Sequence, residues 1–193
     1  MILWTIQPIE VWEELNRKGY YICNAKKSEN LIDDVCNFKL AYDWLVRDME
    51  TKIGKRPIDV LYPIWAWHTR NWKHKKPDLR ESGYDAKGVK SVCIEIEIPD
   101  NQVLLSDFDA WHFVLNHSWL DNSTSEEEYD KNQIWFDSLS YKEQEILKEK
   151  SWQGIYDIRP FENDWFQRGR YIQATFWKLE LSQVQKVQFF VAR

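Results

Sequence analysis

The run VCIEIEI at residues 92–98 alternates without a break: Val92, Ile94, Ile96 and Ile98 fall on one face, Cys93, Glu95 and Glu97 on the other. A period of two over seven residues marks a strand with one buried and one polar side. Residues 171–179 repeat the pattern, with Tyr171, Gln173, Thr175, Trp177 and Leu179 set against Ile172, Ala174, Phe176 and Lys178. A further β-rich run follows at 184–191. At the start of the chain, residues 2–6 read as a short strand and Pro8 opens a helix carrying Ile9, Trp12 and Leu15, with Gly19 just past its end. Residues 20–23 look extended. A second helix spans about 38–53 with Leu40, Trp44, Leu45 and Met49 on one face, and Gly54 ends it. Residues 60–67 read as a strand. Ser106 caps a helix with Phe108, Trp111, His112 and Leu115 facing inward. Strands and helices alternate without a regular βαβ rhythm, so the expected class is α+β: one domain over 1–193, a small mixed or mainly antiparallel sheet flanked by helices. Residues 121–150 are acidic and polar, and read as a solvated insertion with a weak helix at 140–148, where Ser140 and Glu143 form a capping box.

The 193 residues are 44% hydrophobic, enough for one substantial core. Twelve tryptophans exceed what such a core needs, which points to an aromatic groove or interface. A net charge of −5 and a pI near 5.5 exclude a chain coated along its length by nucleic acid, so any anion site is local. Cys23, Cys36 and Cys93 are widely spaced, with no CxxC pair, and read as reduced thiols of a cytoplasmic protein. No apolar run approaches the roughly 20 residues of a membrane span.

The local anion site has an obvious address. YPIWAWHTRNWKHKKPDLR, residues 62–80, gathers Trp65, Trp67 and Trp72 with His68, Arg70, Lys73, His74, Lys75, Lys76 and Arg80. Flat aromatic faces beside positive donors suit an anionic, ring-bearing ligand such as a nucleotide. The same stretch also reads as a buried aromatic strand running into a solvated basic loop. Glu95 and Glu97 lie on one side of their strand about 7 Å apart, a spacing that suits a ribose, a base or a metal, and that also fits a plain wet face. His112 reads as a structural histidine. Glycine-rich phosphate loops, nucleophile elbows and zincin or EF-hand patterns are absent, and the His68–His74 spacing is that of no common metal site, so no metal is expected.

LWTIQ at 3–7, YPIWAW with the following KKPDLR, the EIEIPDNQVLLSDFDAWHFVLN block and the late IQATFWKL together resemble a bacterial family catalogued as domain of unknown function 3841. That resemblance covers nearly the whole chain and carries no activity with it. The order of the pieces is also similar to the layout of DNA-modifying ADP-ribosyltransferase toxins. This second resemblance implies that Thr5 or Gln7 touches the nicotinamide ribose of NAD, and that Trp65, Trp67, His68 and Arg70 line the cleft. It further implies a catalytic glutamate on the late strand, where this chain has Thr175, with Gln173 beside it and Glu180 further on. A threonine supplies no negative charge to a developing oxocarbenium ion, so the acid of an active transferase would have to be Glu95, Glu97 or Glu180.

Three functions are thus open. The first is a nucleotide-handling domain that takes NAD or a relative and has a rearranged or degenerate acid. The second is a module that holds single-stranded nucleic acid on the tryptophans and basic loop. The third is a protein-interaction domain that seats a partner on exposed aromatics.

Overall fold

In the computed structural model, which describes residues 1–27 and 38–193, an α+β fold is built on one antiparallel sheet of six strands. Cys36 lies outside the described residues. The sheet contains β1 (Ile2–Pro8), β3 (Ile64–Thr69), β4 (Lys90–Glu97), β5 (Leu104–Asp107), β8 (Ile172–Phe176) and β10 (Val184–Val191), in the spatial order β10-β4-β1-β3-β8-β5. Two small ladders stand outside it: β2 (Tyr20–Tyr21) pairs with β9 (Leu179–Glu180), and β6 (Phe161–Glu162) with β7 (Gln167–Arg168).

The alternation in 92–98 appears as expected. Ile94 and Ile96 pair with Thr5 and Leu3 of β1, and this face packs with Ala66, Ala174 and Phe176 against Leu15 of helix α1 (Ile9–Lys18). The helix ends where Gly19 takes φ +80 and donates its N–H to the Leu15 carbonyl, a left-handed cap that glycine adopts without side-chain strain.

The opposite face carries a second core from α2 (Lys39–Lys52) and α3 (Phe108–Leu115), where Trp44, Leu45, Met49, Trp111 and Val114 meet Trp65 and Leu104 of the sheet. Leu40, expected on the buried face of α2, is 55% exposed; Ala41, Tyr42 and Val46 are buried instead. The strand expected at 60–67 begins only at Ile64, after Pro63, and Val60 is buried in the helical core without being in a strand. The cap of α3 is Asp107 rather than Ser106: its carboxylate accepts from the Ala110 N–H at 2.9 Å.

The segment 121–150 is exposed over most of its length. It forms α4 (Glu126–Asp137) and α5 (Tyr141–Ser151), capped by Ser125 and Ser140, the latter in the expected capping box. Phe136 is buried and stacks on Trp119, with ring centroids 4.8 Å apart. Sparse apolar residues suffice here because a few aromatic rings each bury a large area.

Candidate functional site

Cross-strand register aligns one residue from each strand into a row across the sheet: Lys186, Glu95, Trp4, Trp67, Gln173 and Ser106. Direct partners share a face, so Glu95, Trp67 and Gln173, all candidates from the sequence, lie on the same side of one sheet. Glu95 is not a free acid, since its Oε2 accepts from the Trp4 indole N–H at 2.9 Å.

Above this row sits the basic loop. The β3–β8 register slips between Trp67 and Thr69, which leaves His68 as the extra residue of a bulge. His68 Nδ1 meets the Thr69 hydroxyl at 2.9 Å, and its Nε2 lies 2.9 Å from His74 Nδ1. Burial, with the neighbouring His74 and the N-terminal amine, lowers the His68 pKa to about 4, so the ring is neutral near pH 7. The Arg70 guanidinium lies 4.5 Å from the Trp67 ring centroid and is paired with Glu81 at 2.6 Å. Lys76 donates to Gln188 of β10 and Arg80 is paired with Asp78. The Lys73 and Lys75 side chains are exposed, with no side-chain hydrogen bond or ion pair among the described residues. Between Arg70 and Lys73 the chain reverses in two residues, Asn71 at φ +49 and Trp72 at φ +65. Asn71 Oδ1 accepts from Arg170 and from the Tyr171 hydroxyl, which holds this left-handed turn and leaves Trp72 36% exposed at its tip.

The other candidates are placed elsewhere. Glu97 is exposed and accepts from Gln185. Glu180 is exposed, pairs with Lys178, and its backbone N–H is bonded by Gln183 in a turn at Leu181–Gln183. Thr175 is buried and donates to the Leu104 carbonyl. Thr5 is fully buried; its hydroxyl donates to the Trp65 carbonyl and accepts from the Gln7 amide at 2.7 Å.

Gln7 and Trp65 do meet a cavity. A recess of about 630 Å³ opens where β1 ends and β3 begins, lined by those two residues together with Glu10 and Glu14 of α1, Tyr21 and Tyr84. Tyr84 links the recess to the basic loop, because the Arg70 guanidinium lies 5.2 Å from its ring centroid. Desolvation raises the Tyr21 hydroxyl to about 12 and pushes Tyr84 up as well, so both stay protonated donors. Glu10 and Glu14 lie one helical turn apart on α1. Glu14 is held by Lys18 at 2.6 Å. No local pattern singles out Glu10, Tyr21 or Tyr84 in the sequence; the nearest signals are Gly19 and Gly83, which turn the chain beside these positions.

Among the described residues, no three His, Cys, Asp or Glu side chains are grouped to hold an ion. No helix among the described residues is long and apolar enough to cross a membrane.

The family model for the domain of unknown function DUF3841 matches residues 2–185, and the chain belongs to that family. No curated protein and no solved structure matches it.

Proposed function

We propose that this chain is a cytoplasmic nucleotide-handling domain whose binding site is the recess at the ends of β1 and β3. The observation that carries this reading is the joint lining of one cavity by Gln7, Trp65, Tyr21, Tyr84, Glu10 and Glu14. Its volume of about 630 Å³ lies in the range of small-molecule sites. The aromatic rings offer apolar surface for a base, and the carboxylates suit ribose hydroxyls. Lys27 lines the recess as a cation for phosphate charge, and Arg70, paired with Glu81, lies 5.2 Å from the Tyr84 ring centroid. NAD and ADP-ribose are the leading ligands on this reading. Transfer chemistry is not part of it, since none of Glu95, Glu97, Glu180 or Gln173 lines the recess.

A thermal-shift titration with NAD, ADP-ribose and ATP tests the proposal. A ligand present at 100 times its Kd adds about 2.7 kcal/mol of stability, which for a domain of this size raises Tm by several degrees. The shift should vanish in Trp65→Leu and fall in Glu10→Gln. No shift with any nucleotide at millimolar concentration would overturn the reading.

The second reading, single-stranded nucleic acid on the basic turn, rests on Trp72, which is held in a left-handed conformation at an exposed tip beside the unpaired Lys73 and Lys75. It requires tryptophan quenching by a short oligonucleotide that weakens steeply with salt and is lost in Trp72→Ala. A flat titration at low salt removes it.

A further inference from the structure

A second recess, remote in sequence from Gln7 and Trp65, is lined by residues with no part in the proposed nucleotide site. It lies between the start of α3, the loop before α4 and the β6–β7 hairpin, and measures about 420 Å³. Phe113, Tyr129 and Trp165, 37%, 38% and 46% exposed respectively, line it together with the less exposed Phe166. Tyr129 and Trp165 stand 5.9 Å apart with their planes inclined at 50°, which makes a corner rather than a stack. Exposed rings converging on one concavity are unusual for a surface with no ligand, because each leaves apolar area in water.

The charge in this recess is acidic. Asp107, Asp109 and Asp121 line it against one cation, Arg168. That guanidinium is already answered by Asp157 at 2.7 Å, and its Nε donates to the Arg159 carbonyl. Asp107 is tied down by the Ala110 and Gly169 N–H groups, so the start of α3 is capped from within and offers no vacant anion site. Asp121 accepts from Ser123 and Asn132. Asp109 remains exposed, with no side-chain hydrogen bond or ion pair among the described residues.

Aromatic walls with a free carboxylate and no free cation select against anions and in favour of a bulky, weakly hydrated positive group. We propose that this recess binds an alkylated ammonium ion, with Tyr129 and Trp165 against its methyl groups and Asp109 balancing its charge. Such a group comes from two sources: a free quaternary amine, or a methylated lysine on a peptide.

Calorimetric titration of the full chain separates the outcomes, with three probes: choline, a short peptide bearing trimethyllysine, and the neutral isostere 3,3-dimethylbutan-1-ol. Saturable binding of choline or of the peptide is expected, with the tighter of the two naming the source. The neutral alcohol should bind at least roughly tenfold more weakly, and Asp109→Asn and Trp165→Ala should each weaken the cation by roughly tenfold. Both positions are exposed, and unchanged melting of the two variants guards against misfolding. Equal affinity for the alcohol, indifference to both substitutions, or no saturation by either cation at up to about 10 mM would overturn the proposal.

Discussion

Gly169 has φ +79, and a Cβ added there would come within 2.7 Å of the Ile158 carbonyl oxygen. Both facts point the same way, because the left-handed region strains any L side chain and a backbone oxygen yields little. Its N–H also donates to the buried Asp107 carboxylate at 2.6 Å, so a shift of this backbone loosens the cap of α3. Gly169→Ala should therefore destabilise the fold by about 2–4 kcal/mol in urea unfolding, and a loss under 1 kcal/mol would show that the segment moves freely. His68 makes a second prediction at this scale. Its pKa in the folded chain, about 4, lies below the ordinary 6.5, so the unfolded chain takes up the proton first as pH falls. The stabilising contribution is complete above about pH 6.5 and is lost as pH drops toward 4. Because the ring is partly exposed, solvent screening limits the effect to on the order of 1 kcal/mol. In His68→Gln the stability curve between pH 6.5 and 4 should be flatter; an unchanged slope would assign the acid sensitivity to other groups.

At the scale of elements, what could be read from the sequence was what repeats. The alternation of 92–98 locates β4, and that of 171–179 locates β8, which ends at Phe176 with Leu179 in a separate ladder, since a period of two is a local property of each side chain. The helix ends at Gly19 and Ser140 were equally legible, because capping is settled within four residues. Three features escaped the pattern for physical reasons. The exposure of Leu40 depends on how α2 sits against Trp65 and Trp111, which the helical period does not specify. Helix α4 buries Phe136 and carries Trp135 and Ile134 in water, so its apolar stripe is too weak to announce a packed helix. The bulge at His68 breaks the register of β3 by one residue, and only the partner strand makes this visible. The candidate site was legible to the same degree. Composition located an aromatic and basic segment, and the fold ties most of its cations to Glu81, Asp78 and Gln188. The recess itself draws Glu10 and Tyr21 from around α1 and Tyr84 from beyond β3, and no spacing along one chain reports that convergence.

At the scale of the molecule, one sheet serves two cores. Leu15, Ile94 and Phe176 cover one face, while Trp111, Trp152 and Met49 belong to the cluster on the other. Neither layer has a second surface to bury itself against, so loss of one exposes the face of the sheet it covered. Unfolding should therefore be a single cooperative transition, in which tryptophan fluorescence and far-ultraviolet circular dichroism trace the same curve in urea. Trp111 is the sharpest probe of the coupling, as it is 3% exposed and lies 5.2 Å from Trp65 and 5.7 Å from Tyr42, centroid to centroid. Trp111→Ala should cost about 3–5 kcal/mol, a large share of the roughly 5–15 kcal/mol that holds a domain together. If the cores are coupled, that variant unfolds at a lower urea midpoint with both signals still coincident and an unchanged slope. If the fluorescence transition instead precedes the loss of sheet signal, the helices on the Trp111 face unfold alone, and the sheet with α1 is a stable unit without them.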